Sequence, residues 1–314
     1  MVLISVDGLN PDAITRLDAR GGVPAFRRLL REGSSTLNAR SAYEQTNTLP
    51  NHTGMLTGRR IEGPLGSSVT FNDDRPGTLA TAHGRYVPGI FDTVHDAGGS
   101  TAFFAEKDKF NFLLRSWDSA HGAADRKGRD DGRGKIDVAR IGPADTLVRE
   151  TLSQLRGAAR DRRGRPSLVF LHVAAPDLAG HADGFMSGPY LDAVRRADAE
   201  IGTVLDAITA SSSLNQHTTV VVTADHGGSG PSHRDPTRLA NYRIPFFLWG
   251  QRVQAGQDLY AINPGRRDPG KTRVGYDGPQ PIRNLDAADL VLRLLGLPPL
   301  PETTRRGLEP LRSR

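Results

Sequence analysis

The sequence predicts an α/β fold in which a largely parallel central sheet is flanked by helices. Apolar, strand-like runs occur at 2–6, 168–173 and 219–224, and each leads into a segment that contains acidic residues. Strands of parallel sheets are buried on both faces and therefore read as continuous apolar runs. Amphipathic helical stretches alternate with these runs, as they do in α/β proteins. Because ligands bind outside the carboxyl ends of such strands, we expect the acidic residues to meet in one crevice.

The other elements are predicted from periodicity and from residues that begin or end helices. Pro50 suits a first helical turn, and Gly58 suits the end of the same helix. Gly33 ends the first predicted helix, and Gly296 ends the last one. Together these signals predict helices at 24–31, 51–56, 89–97, 145–159, 190–209 and 285–295. Further strands are predicted at 34–39, 101–105 and 244–249.

The chain is predicted to form one domain. Its 314 residues are enough to bury a substantial core, and no linker is distinct enough to divide them. Two segments are predicted to be irregular. The charged, glycine-rich segment 126–135 is predicted to be an exposed loop, and the segment 251–281, rich in Gly, Pro and Arg, is predicted to wrap the surface near the site. We therefore expect a single domain over 1–314 with inserted loops near 110–143 and 251–281.

The composition excludes several classes of site and partner. The absence of cysteine rules out disulfides, thiolate zinc sites and cysteine nucleophiles. The net charge of +6 comes from dispersed arginine, so we expect small anionic substrates and no nucleic-acid polymer as partner. No apolar run approaches the ~18 residues of a membrane span. The chain as given starts on a strand, which predicts a cytoplasmic protein, or an exported one if a leader has been removed. The sequence makes no prediction of the oligomeric state.

Thr48 is the strongest candidate nucleophile. It is predicted to lie just before a helix whose first turn is marked by Pro50, where free N–H groups and the helix dipole favour a phosphate. A threonine hydroxyl needs a metal or a base to become a nucleophile. Two divalent cations about 3.5–4 Å apart would activate it and grip the substrate oxygens. The alternative is that Thr48 only caps the helix.

Five acidic and imidazole residues are candidate metal ligands. Asp225 and His226 are adjacent and reach one site only if the backbone bends, which the following glycines permit. Asp177 and His181 lie four residues apart in a predicted loop, where a structural hydrogen bond is the alternative. His233 is within reach of the same site or is an exposed loop histidine. Carboxylate and imidazole donors are compatible with zinc and do not exclude manganese.

The joint pattern resembles the alkaline phosphatase superfamily, specifically its nucleotide pyrophosphatase and type I phosphodiesterase branch. The matching motifs run over most of the chain and are Val6-Asp7-Gly8, Thr48-Leu49-Pro50-Asn51-His52, Phe71-Asn72-Asp73, Asp177 to His181, Thr223-Ala224-Asp225-His226-Gly227, and His233. The resemblance implies an alkaline-phosphatase-like core and a hydrolase of phosphoric esters. It also implies two divalent metal ions as cofactors, usually zinc.

The resemblance further implies a role for each motif residue. One metal would be held by Asp7, Thr48, Asp225 and His226, and the other by Asp177, His181 and His233. Thr48 would attack phosphorus to form a phospho-threonine, which a water activated by the second metal would release. The Asn72 side chain and the Leu49 N–H would stabilise charge on the transferring group. His52 would position the nucleophile helix, and His172 is interpreted as a satisfied histidine of the core or beside the ligands.

Lys107 and Lys109 bear on the substrate class. They follow the strand at 101–105 and are similar to a Lys-x-Arg element in a monoesterase group of the superfamily. Lysine cannot form the bidentate fork of arginine, which favours a diester or pyrophosphate substrate over a monoester. The alternatives are a phosphomonoesterase that uses both lysines, a solvated charged turn without function, and, from another class, a non-catalytic metal- or anion-binding protein on the same fold. The expected partner is a small phosphorylated substrate, either a phosphodiester, a nucleotide or a phosphomonoester.

Overall fold

A mixed, mostly parallel sheet of eight strands forms the centre of the protein. The computed structural model describes residues 1–126, 132–160 and 164–304. The strands are β1 (Val2–Val6), β2 (Ser34–Arg40), β3 (Ser100–Ala105), β4 (Val138–Ile141), β5 (Ser167–Val173), β6 (Val220–Thr223), β7 (Arg243–Trp249) and β8 (Gln257–Asp258). Their order is β4-β3-β5-β1-β6-β7-β2-β8. Only β7 runs antiparallel to its neighbours within the described part of the chain, so the predicted α/β fold is confirmed.

Twelve α-helices within the described ranges accompany the sheet. They are α1 (Pro11–Asp18), α2 (Pro24–Glu32), α3 (Thr48–Thr57), α4 (Leu79–His83), α5 (Ile90–Asp96), α6 (Asn111–Ser116), α7 (Ala144–Arg160), α8 (Ala175–Asp183), α9 (Gly188–Thr209), α10 (Ser212–His217), α11 (Leu239–Tyr242) and α12 (Asp286–Leu294). All predicted helices and strands are present, with bounds that differ by at most three residues. None of the helices in these ranges is both long and apolar enough to cross a membrane.

The central strands bring the candidate ligands to one edge of the sheet. β1 lies between β5 and β6, and all five residues of β1 are buried. The register pairs Val6 with Val173 and Ser5 with Thr223, so the three strands end at nearly the same level. The segments that follow these strands therefore start side by side, which is the convergence that the apolar runs predicted.

Two motif segments lie in a different element from the predicted one. Helix α3 begins at Thr48 and not at 51, with Asn47 in an extended conformation before it. Pro50 lies in the first turn, where its missing N–H removes no helical hydrogen bond. The segment from Asp177 to His181, predicted as a loop, is part of helix α8. A proline near the start of α8 was an overlooked signal for that helix.

The two predicted loop regions differ in character. The segment 110–143 is not wholly irregular, since it contains α6 and the strand β4, which pairs in parallel with β3. β4 is an edge strand without a buried residue, so it lacks the apolar run that would have predicted it. Of the predicted charged loop, residues 127–131 lie outside the described residues. The segment 251–281 is irregular apart from β8, and the guanidinium of Arg40 donates to its Gly270 carbonyl over 2.7 Å.

Candidate metal centre and active site

Two groups of acidic and imidazole side chains meet at the carboxyl edge of the sheet. Asp177, His181 and His233 form one group, and Asp7, Asp177 and His226 form the other. Within each group the potential ligand atoms all lie within 4.8 Å of one another. Asp177 and His181 contribute from one face of α8, because residues four apart on a helix are neighbours. The sequence motifs that are farthest apart in the chain are therefore brought together.

The ligand atoms of both groups are close enough to share cations. Asp177 Oδ1 lies 3.5 Å from His181 Nε2 and 3.6 Å from His233 Nε2. His226 Nε2 lies 3.4 Å from Asp7 Oδ1. Asp225 joins this second group, with its Oδ2 atom 3.2 Å from the same nitrogen. His226 Nε2 is also 4.0 Å from Asp177 Oδ1, so the two groups form one continuous centre.

Several buried polar atoms of this centre lack a hydrogen-bond partner. Among the described residues, these atoms are Asp7 Oδ1, Asp177 Oδ1, Asp225 Oδ2 and His226 Nε2. A buried polar atom without a partner is destabilising unless a hydrogen bond or an ion compensates it. All four atoms are oxygens or nitrogens of types that bind divalent cations in proteins. The residues present therefore fit a centre for divalent metal ions.

The hydrogen bonds of two histidines orient their free nitrogens toward the carboxylates. The Nδ1 atom of His226 donates to the Gly227 carbonyl over 2.8 Å, and that of His233 donates to the Thr46 carbonyl over 2.5 Å. A carbonyl oxygen only accepts, so Nδ1 carries the proton and Nε2 presents a lone pair. His181 Nε2 also approaches His233 Nε2 within 3.0 Å. Because His233 Nε2 carries the lone pair, His181 Nε2 donates in this contact, and a bound cation would take the place of that proton.

Burial and neighbouring charges shift the pKa values of Asp7 and Asp225 in opposite directions. Burial alone would raise the pKa of Asp7, but the Lys107 ammonium and a hydrogen bond from His172 hold that pKa well below its ordinary value. Burial and the charges of Asp7 and Asp177 raise the pKa of Asp225 well above its ordinary value. Burial and the nearby His226 lower the pKa of His233 to about 2. Without a cation, the centre thus favours a neutral imidazole at His233 and disfavours an ionised carboxylate at Asp225.

His52 connects the nucleophile helix to this centre. Its Nδ1 atom donates to the Thr48 carbonyl over 2.8 Å, and its Nε2 atom shares a 2.8 Å hydrogen bond with the Ser5 hydroxyl. The same Nδ1 atom lies 3.6 Å from Asp225 Oδ2. Burial and the neighbouring His172 lower the pKa of His52 well below its ordinary value, so the ring is neutral. These contacts place the first turn of α3, and with it Thr48, beside the carboxylates.

Asn72 lies at the N-terminus of the same helix. The Leu49 N–H donates to Asn72 Oδ1 over 2.8 Å. This bond orients the amide, and Nδ2 remains without a hydrogen-bond partner among the described residues. The Leu49 N–H, which the sequence predicted to contact substrate, is engaged in holding Asn72; its direct contact with substrate stays a prediction.

The two lysines occupy different positions at the centre. Lys107 donates to both Asp7 Oδ2 and Asp177 Oδ2, each over 2.6 Å. Lys109 is half-buried, and its side chain makes no hydrogen bond or ion pair with any residue in the described ranges. Burial and the charge of Lys107 lower the pKa of Lys109. His172 is buried, as predicted, and its Nε2 atom hydrogen-bonds Asp7 Oδ2 over 2.9 Å.

Comparison with known proteins identifies the family. A model of the type I phosphodiesterase / nucleotide pyrophosphatase family matches residues 1–63 and 81–278. The chain belongs to this family. Asn72 lies in the gap between the two matched ranges, so its placement in the site depends on the Leu49 contact alone.

Three of the proteins similar to this member of the phosphodiesterase family illustrate the relationship. GPI ethanolamine phosphate transferase 1 of Mus musculus is 22% identical over 311 residues, which are 95% of this chain and 31% of that protein. The protein of the same name from Yarrowia lipolytica is 32% identical over 138 residues, 43% of this chain and 14% of that protein. An inactive threonine-to-alanine variant of murine ectonucleotide pyrophosphatase/phosphodiesterase 5, in complex with AMP, has a TM-score of 0.64 at 14% identity over 96% of each chain.

These comparisons confirm the alkaline-phosphatase-like fold and a relationship to enzymes that act on phosphoesters. At 14% identity the likeness to the solved structure shows the fold alone. The chain spans 31% and 14% of the length of the two curated relatives, so the activity of those whole proteins does not follow from the match.

Sequence reasoning missed several residues that hold this phosphodiesterase-family site. Thr46 donates its hydroxyl to the His233 carbonyl, while its own carbonyl accepts from His233 Nδ1. The Asn284 amide donates to the Asp225 carbonyl over 3.2 Å and to Asn51 Oδ1 over 3.1 Å. Thr46 lies two residues before Thr48, and this nearness to the nucleophile motif was a signal for it. Asn284 lies far from every motif, and no local pattern indicated it.

Replacing Thr46 with valine is expected to lower the affinity for zinc about tenfold, as the loss of a residue that orients a metal ligand does. The hydroxyl is buried, and its loss frees the loop that carries His233. The measurement is a zinc titration against a coloured chelator. Thr57→Val is the matched control, because it removes a buried hydroxyl from α3 that bonds only the Thr53 carbonyl. Equal affinities in the two variants would contradict the orienting role of Thr46.

Proposed function

We propose that this protein is a metal-dependent enzyme that cleaves a phosphodiester or pyrophosphate bond through a covalent intermediate on Thr48. The observation that supports this most strongly is the set of buried, unpartnered oxygen and nitrogen atoms beside the N-terminus of α3. Neither a helix cap at Thr48 nor a structural hydrogen bond at Asp177 would require such a set. The proposed cofactors are two divalent ions, zinc or alternatively manganese.

The proposed ligand sets include the four unpartnered atoms of Asp7, Asp177, Asp225 and His226. One ion would be held by Asp7, Thr48, Asp225 and His226, and the other by Asp177, His181 and His233. When bound, such cations lower the pKa of a coordinated hydroxyl and offset negative charge on a phosphoryl group. The neutral His52 then serves to hold the Thr48 carbonyl, and so the helix turn, in place.

The proposed reaction has two displacements at phosphorus. In the first, Thr48 Oγ1 bonds to phosphorus, the bond to the leaving oxygen breaks, and the Thr48 proton is lost to the medium. Asn72 Nδ2 donates to a non-bridging oxygen as charge develops there. In the second, the oxygen of an acceptor hydroxyl bonds to phosphorus, the bond between phosphorus and Thr48 Oγ1 breaks, the acceptor loses its proton, and Thr48 Oγ1 takes up a proton. Both displacements exchange one oxygen substituent for another, so no oxidant or further reactant is needed.

Lys109 is the proposed cation for substrate charge. It is half-buried beside the centre. Burial and the charge of Lys107 lower its pKa, while the nearby carboxylates of Asp7 and Asp177 raise it. Its ammonium has no hydrogen-bond or ion-pair partner among the described residues, so it is available to a phosphate oxygen. One such cation suits a phosphodiester, which carries one negative charge, better than a dianionic monoester. A phosphomonoesterase that uses Lys107 and Lys109 remains the alternative activity.

The identity of the acceptor gives a second candidate function. Water as acceptor makes the enzyme a hydrolase, as the motifs imply. An alcohol as acceptor would make it a phosphotransferase, which the two relatives named as transferases favour. The same Thr48 intermediate serves both outcomes, since either acceptor attacks the same phosphorus.

The zinc-loaded enzyme is expected to hydrolyse bis(4-nitrophenyl) phosphate with a higher kcat/KM than 4-nitrophenyl phosphate. The measurement is release of 4-nitrophenol from each compound. A strong monoester preference that Lys107→Ala or Lys109→Ala abolishes would support the phosphomonoesterase instead. Metal-loaded protein that turns over neither compound would support the non-catalytic alternative.

Added ethanolamine or glycerol separates the two candidate acceptors in the same assay. A hydrolase yields 4-nitrophenyl phosphate whatever the alcohol concentration. A transferase yields the mixed alkyl 4-nitrophenyl diester in proportion to the alcohol, which mass spectrometry of the products detects.

A further inference from the structure

Lys107 connects carboxylates that belong to both candidate ligand groups. Its Nζ atom lies 2.6 Å from Asp7 Oδ2 and 2.6 Å from Asp177 Oδ2. Its side chain is only 12% exposed, so these contacts are shielded from water. Its amine lies between the two carboxylates and donates a hydrogen bond to each.

Each carboxylate uses its two oxygens differently. The Oδ2 atom of Asp7 accepts from Lys107 and also from His172 Nε2 over 2.9 Å. The Oδ2 atom of Asp177 likewise accepts from Lys107. The Oδ1 atoms of both have no hydrogen-bond partner among the described residues. These Oδ1 atoms are the ones that face imidazole nitrogens, at 3.4 Å from His226 and 3.5 Å from His181.

We infer that Lys107 is a positioning residue of the metal centre, a tethered cation that holds Asp7 and Asp177 so that each offers a single oxygen to a metal ion. The inference rests on the proposed function only in requiring that the centre bind divalent cations. An ammonium has three N–H donors, and two are used here. The third remains available to a substrate oxygen, so positioning and the predicted substrate contact are compatible.

This arrangement has a consequence for metal selectivity. Zinc takes about four ligands, usually nitrogen, sulfur or single carboxylate oxygens. Calcium takes about six to eight oxygens and commonly uses both oxygens of a carboxylate. By occupying the two Oδ2 atoms, Lys107 withdraws oxygens that calcium would use and zinc does not need. Lys107 therefore favours zinc over calcium at this centre.

The test compares the ratio of zinc to calcium affinity in Lys107→Met with that in the unaltered protein. Methionine is of similar length and carries no charge. Removing a positive charge strengthens the binding of any divalent ion, but zinc and calcium carry the same charge, so their ratio isolates ligand geometry. We expect the ratio to fall at least about tenfold, the size of effect seen when a partner of a metal ligand is lost. Affinities are measured by titration of the full chain, stripped of metal, against coloured chelators.

Lys109→Met is the matched control, since it removes the same charge from the same segment without a carboxylate contact. Its zinc-to-calcium ratio should equal that of the unaltered protein. An unchanged ratio in Lys107→Met, or an equal fall in both variants, would overturn the inference.

A second measurement covers the case in which Lys107→Met does not fold. Amine acylation of the unaltered protein, read by mass spectrometry, should leave Lys107 protected both without metal and with zinc, while Lys109 reacts in the metal-free protein. Acylation of Lys107 that appears on zinc loading would show that metal displaces the ammonium, which contradicts positioning. Failure of the unaltered protein to bind any divalent ion would overturn this inference and the proposed cofactors together. Zinc binding without turnover would overturn only the proposed reaction.

Discussion

Replacement of Thr48 by alanine is expected to reduce kcat for bis(4-nitrophenyl) phosphate by at least about 10³-fold, because no other hydroxyl would take the place of the nucleophile. The fold should survive, since the contact that anchors this residue to His52 uses the Thr48 carbonyl, which alanine retains. Bound metal should also be retained. Asp7, Asp225 and His226 remain as ligands of one ion, and Thr48 is not a ligand of the other. The measurements are steady-state kinetics and elemental analysis of the purified variant.

Thr48→Ser is the control for this substitution. It keeps a hydroxyl at the same helix position and should retain measurable turnover with the same metal content. Acid quenching of the unaltered enzyme during turnover should trap a phosphorylated peptide that contains Thr48, and the alanine variant should give none. A Thr48→Ala protein with full activity would exclude the covalent route.

Removal of metal by chelation is expected to abolish turnover and to lower the midpoint of thermal unfolding. The unpartnered atoms of Asp7, Asp177 and Asp225 are then left buried without compensation. A ligand at about 100 times its dissociation constant stabilises a native protein by ~2.7 kcal/mol, so the loss should be readily measured. Calorimetry with and without chelator checks the stability change, and readdition of zinc or manganese should restore both stability and turnover. Activity that persists in metal-free protein would contradict the proposed cofactors.

Lowering the pH is also expected to release the metal. Burial and the charges of Asp7 and Asp177 raise the pKa of Asp225 in the metal-free centre. A proton on Asp225 must leave before a cation binds, so apparent metal affinity rises as the pH rises through that elevated pKa and falls below it. Asp225→Asn, which cannot ionise, should bind metal weakly at every pH and lose this dependence.

Much of this protein could be predicted from local sequence. The apolar runs before Asp7 and Asp225 predicted buried parallel strands, because a strand covered on both faces must be apolar along its whole length. Their placement at one sheet edge follows from that topology alone, so the convergence of the candidate ligands could be predicted without coordinates. The edge strand β4 could not, since its residues are not buried and carry no apolar run.

Three features were decided by tertiary structure. Lys107 reaches carboxylates 100 and 70 residues away, and the Thr46 hydroxyl reaches a carbonyl 187 residues away. Asn284 reaches the Asp225 carbonyl across 59 residues. Each contact depends on where the folded chain places a partner that no local pattern specifies.

The sequence by itself therefore determined which residue types could bind metal and phosphate and at which edge of the sheet they lie. Only the tertiary structure decided which oxygen of each carboxylate is free, which nitrogen of His226 and His233 carries a proton, and what Lys107 contacts. The physical reason is that residue identity and burial follow from short-range patterns of polarity. Which donor pairs with which acceptor is set by long-range packing, because a hydrogen bond forms only where packing brings the two atoms to about 3 Å.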